Sequence, residues 1–92
     1  MNQAIIFSDN EQYNANLQQI EFQAQCQGAL ITCIISSKDL CKMNPDQAHL
    51  VDDKEALLAL FEGSRFDIED IAEHMINQQD FRQDGKIYLQ GI

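Results

Sequence analysis

The stretch from Ile20 to Ile35 admits few folds, because it sets its own register. Ile20, Phe22, Ala24 and Cys26 alternate with Glu21, Gln23 and Gln25. After a Gln27-Gly28 turn, Ala29, Ile31, Cys33 and Ile35 repeat the alternation. This is the two-residue period of a strand with one buried face. A two-residue hairpin loop would set Cys26 against Ala29, Ala24 against Ile31, Phe22 against Cys33 and Ile20 against Ile35. Every pair is apolar. A slip of one residue would turn the Phe22 set toward water, so the register is strongly specified. Leu30 and Ile34 point to the opposite, outer face, which is expected either to be covered or to expose apolar surface.

The remaining segments follow from periodicity and turn chemistry. Ala4 to Phe7 is a short apolar run ending at the turn formers Ser8-Asp9-Asn10 and reads as a first strand. Residues 8–16 read as a polar connection with Tyr13 as its anchor. Ser36 or Ser37 can cap a short helix, Lys38 to Met43, which stops at Asn44-Pro45 because a residue before proline is driven out of the helical region. The segment 46–51 reads as a loop. Asp52 with Glu55 has the spacing of a capping box, Leu57, Leu58, Leu60 and Phe61 supply an apolar face, and Gly63 fits the position just past a helix end. Ser64 with Asp67 offers a new start, and Ile68, Ile71, Ala72, Met75 and Ile76 form a helical stripe. A second stripe, Leu57, Phe61, Ser64, Ile68, Ile71 and Met75, runs through the glycine, so two helices and one kinked helix both stay open. Past the Asp84-Gly85 turn, Lys86 to Gln90 alternates as a last strand.

The expected class is α+β, with a mainly antiparallel sheet of about four strands in the order β-β-β-α-α-α-β and helices packed on one face. Residues 1–92 are expected to form a single domain. A chain of this size needs nearly all of its apolar content for folding, so any site should be a surface groove, a loop or a subunit interface.

Charge narrows the function. The net charge is −9, and residues 46–92 hold eleven acids and four bases, or −7 of that total. Such a chain repels a phosphate backbone, whose binding depends on Lys and Arg displacing counterions, and it repels anionic membrane surfaces equally. Neither nucleic acid nor membrane is expected as a partner. Cys26, Cys33 and Cys41 leave one thiol over in any pairing, and no Cys-x-x-Cys spacing marks a zinc site or redox pair. Reduced thiols, and an apolar N-terminal run too short for a signal-peptide core, point to a cytoplasmic protein.

Candidate sites are few. Asp70 and His74 stand four apart on one helix face, a spacing that suits a metal pair, with His49 as the other histidine. Two ligands from one helix do not complete a site, and a solvated helix face is the better account of them. Glu69 and Glu73, with Asp67 and Asp70, lie opposite the apolar stripe; acids near a helix N-terminus are favoured by its dipole, and the cluster offers docking to a basic protein partner. A catalytic thiol needs an electropositive, partly exposed setting. Cys33 falls on the apolar face, which leaves Cys41 as the candidate. Exposed apolar surface is the stronger signal, and Tyr13, Leu30 and Ile34 are expected to form a symmetric contact.

Ala4-Ile5-Ile6-Phe7 with Asp9, then Ile20-Glu21-Phe22-Gln23-Ala24, Gly28, Cys33-Ile34-Ile35-Ser36, and Phe61 with Arg65, Ile68 and Ala72 resemble the small bacterial domain-of-unknown-function 1488 family over nearly the whole chain. The resemblance implies an uncharacterised protein of similar length and the same element order, with no catalytic residues to carry over. Gln27 stands where that family often has Asn or Asp before the turn glycine, which weakens the case for a tight primed turn. The expected function is that of a small acidic cytoplasmic protein, a non-catalytic interaction or regulatory domain acting as a homodimer without cofactor. The alternative is a small enzyme or metal-binding protein using Cys41 or the Asp70–His74 pair.

Overall fold

The computed structural model describes residues 5–50 and 53–89. In it the chain runs through β1 (Ile5–Phe7), β2 (Gln12–Asn14), β3 (Gln19–Cys26), β4 (Ala29–Ser36), α1 (Ser37–Met43), a 3₁₀ segment (Pro45–Leu50), α2 (Lys54–Gly63), α3 (Arg65–Asn77) and β5 (Ile87–Tyr88). The class is α+β, as expected, with the apolar stripes of α2 and α3 buried against one face of a mostly antiparallel sheet. Ala4, Asp52 and Gln90, which the sequence assigns to a strand start, a capping box and a strand end, lie outside the described residues.

The β3–β4 hairpin has the register the apolar pattern dictates, from Ile20 opposite Ile35 to Cys26 opposite Ala29. Gln27 and Gly28 take φ of 54° and 81°. Two consecutive positive φ values are the mark of a type I′ turn, whose twist matches the flanking strands. The turn is therefore primed, and Gln27 accepts a left-handed conformation that Asn or Asp would tolerate better.

Among the described residues the sheet has five strands, where about four were expected. Residues 8–16 are not only a connection: Gln12–Asn14 pairs with β3, placing Tyr13 opposite Ile20. The apolar ring of Tyr13 packs on the core there, and one large residue among polar ones was too short a pattern to read as a strand. β1 pairs farther along the same side of β3, from Ile5 opposite Cys26 to Phe7 opposite Ala24. On the other side β5 joins β4 in parallel, with Cys33 opposite Ile87 and Ile34 opposite Tyr88.

Local chemistry sets the helix ends. Ser36 caps α1, its hydroxyl accepting from the Asp39 N–H at 3.0 Å. Asn44 ends α1 as Pro45 requires, but the expected loop is a 3₁₀ segment, kinked at Gln47. Proline at the first position of such a turn has its φ already set and lacks only an N–H that would have no partner. α2 is capped by Asp53, whose carboxylate accepts from the Ala56 N–H. α2 and α3 are separate helices. The break falls at Ser64 (φ −107°, ψ 11°), and Gly63 closes α2 instead of following it. Ser64 makes no side-chain cap; its hydroxyl accepts from Asn44 Nδ2 at 3.2 Å, tying the end of α1 to the α2–α3 corner.

The core lies between the inner sheet face and the helices. Ile20, Phe22, Cys33 and Ile35 from the hairpin meet Leu57, Phe61, Ile68 and Ala72 from the helices, all fully buried. Phe22 and Phe61 meet edge to face, 5.2 Å between centroids. Ser37, a buried polar residue, donates from both its N–H (2.8 Å) and its hydroxyl (3.0 Å) to the carbonyl of Gln18.

The same substitution at two glycines should have opposite effects. Gly28→Ala places a Cβ on a left-handed backbone and should destabilise by about 1–2 kcal/mol. Gly63 is helical with open space where a Cβ would sit, so Gly63→Ala should stabilise by about 0.4–1 kcal/mol. Urea titrations of the two variants check both signs.

Candidate functional site

Strand pairing arranges the outer sheet face into rows. Ile6, Gln25 and Leu30 form one row across β1, β3 and β4, and Gln23 with Thr32 forms the next. Gln12, Glu21, Ile34 and Tyr88 form a third, and Asn14, Gln19 and Ser36 a fourth. Gln23 Nε2 donates to Thr32 Oγ1 at 3.1 Å, holding the second row together. Glu21 is the one carboxylate among these strand residues. In a chain of net charge −9 this face is close to neutral, and its first row carries exposed apolar side chains: Leu30 is 71% exposed and Ile6 61%.

The three residues expected to form a contact do not share a surface. Leu30 is exposed on the outer face. Ile34 is on the same face but only 3% exposed, because Glu21 and Tyr88 flank it on both neighbouring strands. Tyr88 is itself held, donating to Asp84 Oδ2 at 2.6 Å with the Arg82 guanidinium stacked 4.8 Å over its ring. That bond raises the Tyr88 pKa and lowers the Asp84 pKa. Tyr13 is on the inner face, opposite Ile20. Ile6 escaped the sequence reading because its direction depends on the long-range β1–β3 register.

The candidates for chemistry are dispersed. Cys41 is 4% exposed; its thiol donates to the Gln47 carbonyl at 3.6 Å, and burial raises its pKa. Both features oppose thiolate formation. Burial pushes the Cys33 thiol up to about 12. Asp70, His74 and His49 are all exposed, and among the described residues no group of three or more His, Cys, Asp or Glu is placed to hold a metal ion. Asp67 and Glu73 are exposed on α3, beside Phe66, which is 82% exposed and falls off the Ile68–Ala72 stripe. Glu69 is not solvated like the others: it faces Arg65 at 3.5 Å.

Arg65 is the polar hub that the sequence reading did not identify as one. Its side chain is 13% exposed and stacks on Phe61 at 5.2 Å. Nη2 donates to Glu11 Oε1 at 2.8 Å and to Glu62 Oε1 at 2.6 Å. Nη1 lies 3.7 Å from Asp9 and 3.5 Å from Glu69. Glu62 and Glu69, at three residues before and four after, were legible as helix neighbours; Asp9 and Glu11 come from the β1–β2 connection and were not. Hydrogen bonds to Glu62 raise the Arg65 pKa and lower that of Glu62. The arrangement is a fork occupied by carboxylates, which fastens β1–β2 to the α2–α3 corner and leaves the Arg65 guanidinium engaged within the fold.

Two outcomes test these assignments. In the unfolded chain the Cys33 thiol ionises near 9.0, in the folded protein near 12. The folded state therefore holds the proton longer, and stability falls as pH rises through that window, by at most about 1.4 kcal/mol per pH unit. Denaturant titrations should show this slope in the wild type and a shallower one in Cys33→Ala, where the raised Cys41 thiol and Tyr88 phenol still contribute. Separately, Arg65→Met should destabilise by about 1–3 kcal/mol through the loss of charged hydrogen bonds, with Arg65→Lys recovering only part of it because an ammonium lacks the fork.

The family described as "Protein of unknown function (DUF1488)" matches residues 5–89. "Uncharacterized protein YrdB" of Escherichia coli K12 is 35% identical over 97% of this chain and 99% of its own length. Its namesake in Shigella flexneri is 34% identical over the same shares. A crystal structure of a DUF1488 protein of unknown function from Shewanella loihica PV-4 superposes with a TM-score of 0.87 at 39% identity, covering 97% of this chain and 94% of that one.

Proposed function

We propose that this chain, which belongs to the DUF1488 family of proteins of unknown function, is a non-catalytic protein-interaction domain that acts as a homodimer. The observation that carries the reading is Leu30, 71% exposed on a nearly neutral strand face. Solvating a side chain of this kind forgoes about 1.5–3 kcal/mol of burial, and among the described residues no neighbour covers it.

Charge selects the second copy as partner and the sheet as its side. α2 and α3 present Glu62, Asp67, Asp70 and Glu73 to solvent, so two copies repel each other across their helices. Across the sheet they meet amides, Thr32 and aliphatic groups. Two-fold homodimers are the commonest oligomers, and a small domain gains stability by forming one. Three cysteines without a disulfide suit a reducing compartment such as the cytoplasm, and no helix among the described residues is long and apolar enough to cross a membrane.

Sedimentation equilibrium tests the reading. The wild type should be dimeric when concentrated, Leu30→Glu should shift it to monomer by setting like charges together, and Phe66→Glu should leave the dimer intact. A wild type that stays monomeric, or a Leu30→Glu variant that dimerises as well as the wild type, would overturn it.

A further inference from the structure

The solvent side of α3 carries a second surface that the fold does not use. Phe66 is 82% exposed, more than any other large apolar side chain among the described residues. It lies in the first turn of α3, and on a helix the residues three, four and seven positions on share its face. Those residues are Glu69, Asp70 and Glu73. An unburied aromatic ring therefore stands beside a row of carboxylates.

Helix chemistry does not account for these acids. The helix dipole favours negative charge within the first turn, which covers Asp67 but neither Asp70 nor Glu73. Glu69 and Glu73 stand four apart, where like charges repel. Among the described residues no ion pair includes Asp67, Asp70 or Glu73. Arg65, next to Phe66 in the chain, is already shared by Asp9, Glu11, Glu62 and Glu69, so one positive charge against four negative leaves −3 at this corner.

We propose that this face of α3 docks a basic amphipathic segment of a different protein, with an apolar side chain against Phe66 and Lys or Arg against Asp70 and Glu73. Aromatic side chains are enriched at protein contacts, where a polar rim surrounds an apolar centre. Charge decides what kind of partner fits. A second copy carries −9 and is repelled here, as are nucleic acid and anionic lipid. A basic segment is drawn in, and opposite charge speeds its encounter. The face points away from the sheet while Leu30 lies on the sheet's outer side, so one molecule can engage both contacts together.

Calorimetry with two synthetic peptides tests the inference. Both carry the same Lys and Arg residues; the first has a helical stripe of Leu, and the second has Ser at those positions. The wild type should bind the Leu peptide about ten- to a hundredfold more tightly than the Ser peptide, and more weakly as salt is added. Phe66→Ala, a change at an exposed position that leaves the core intact, should remove that preference. Asp70→Asn should weaken the Leu peptide about two- to fivefold, whereas Glu21→Gln, the same charge change on the outer sheet face, should not. A wild type that does not prefer the Leu peptide, a Phe66→Ala variant that binds it equally well, or equal losses in Asp70→Asn and Glu21→Gln would overturn the inference. So would binding to anionic lipid vesicles that depends on Phe66, or self-association that Phe66→Ala abolishes. The contact does not rest on the homodimer: a monomeric wild type that keeps the Leu preference overturns the dimer and supports this surface.

Discussion

The two-residue turn at Gln27-Gly28 is the constraint from which the architecture follows. With both residues at positive φ, the loop can be no longer, and the parity of both long strands is set. Odd-numbered residues of β4 turn toward the core and even-numbered ones away. The same parity aims the backbone groups, so one short turn determines which side chains meet the helices and which amides bond to β3. It also divides the sheet surface into an apolar inner side and an amide-rich outer side.

Burial alone would leave the helices free to slide over that inner side. Three polar ties prevent it. Ser37 clamps the Gln18 carbonyl with two donors, Asn44 bridges Leu40 and Ser64, and Arg65 gathers carboxylates from the β1–β2 connection and from both long helices' ends. Each tie crosses between elements far apart in the chain. Hydrogen bonds and ion pairs are directional, so they specify position where packed aliphatic groups would accept several arrangements.

What the sequence made legible was whatever repeats locally. The hairpin register, the α3 stripe and the helix stop at Pro45 are short-range patterns, and all are present as read. β2 was missed because one tyrosine in a polar run carries no period. Tyr13, grouped with Leu30 and Ile34 as a contact residue, turns to the inner face because its direction depends on pairing with Ile20. Ile34 reads as an outer residue and is one, yet β5 and β3 enclose it. Asp9 and Glu11 look like loop acids until the fold brings them to Arg65, more than fifty positions away. Long-range neighbours decide exposure and ion pairing, and a single chain read alone does not contain them.

The sheet's two margins differ. On the far side of β3 the border is split into β1 and β2, each three residues long, with Ser8 to Glu11 interrupting them. An interrupted border offers no continuous ladder for a newcomer to extend. The interruption that lets Asp9 and Glu11 reach Arg65 therefore also guards this border against the edge-to-edge pairing from which fibres grow.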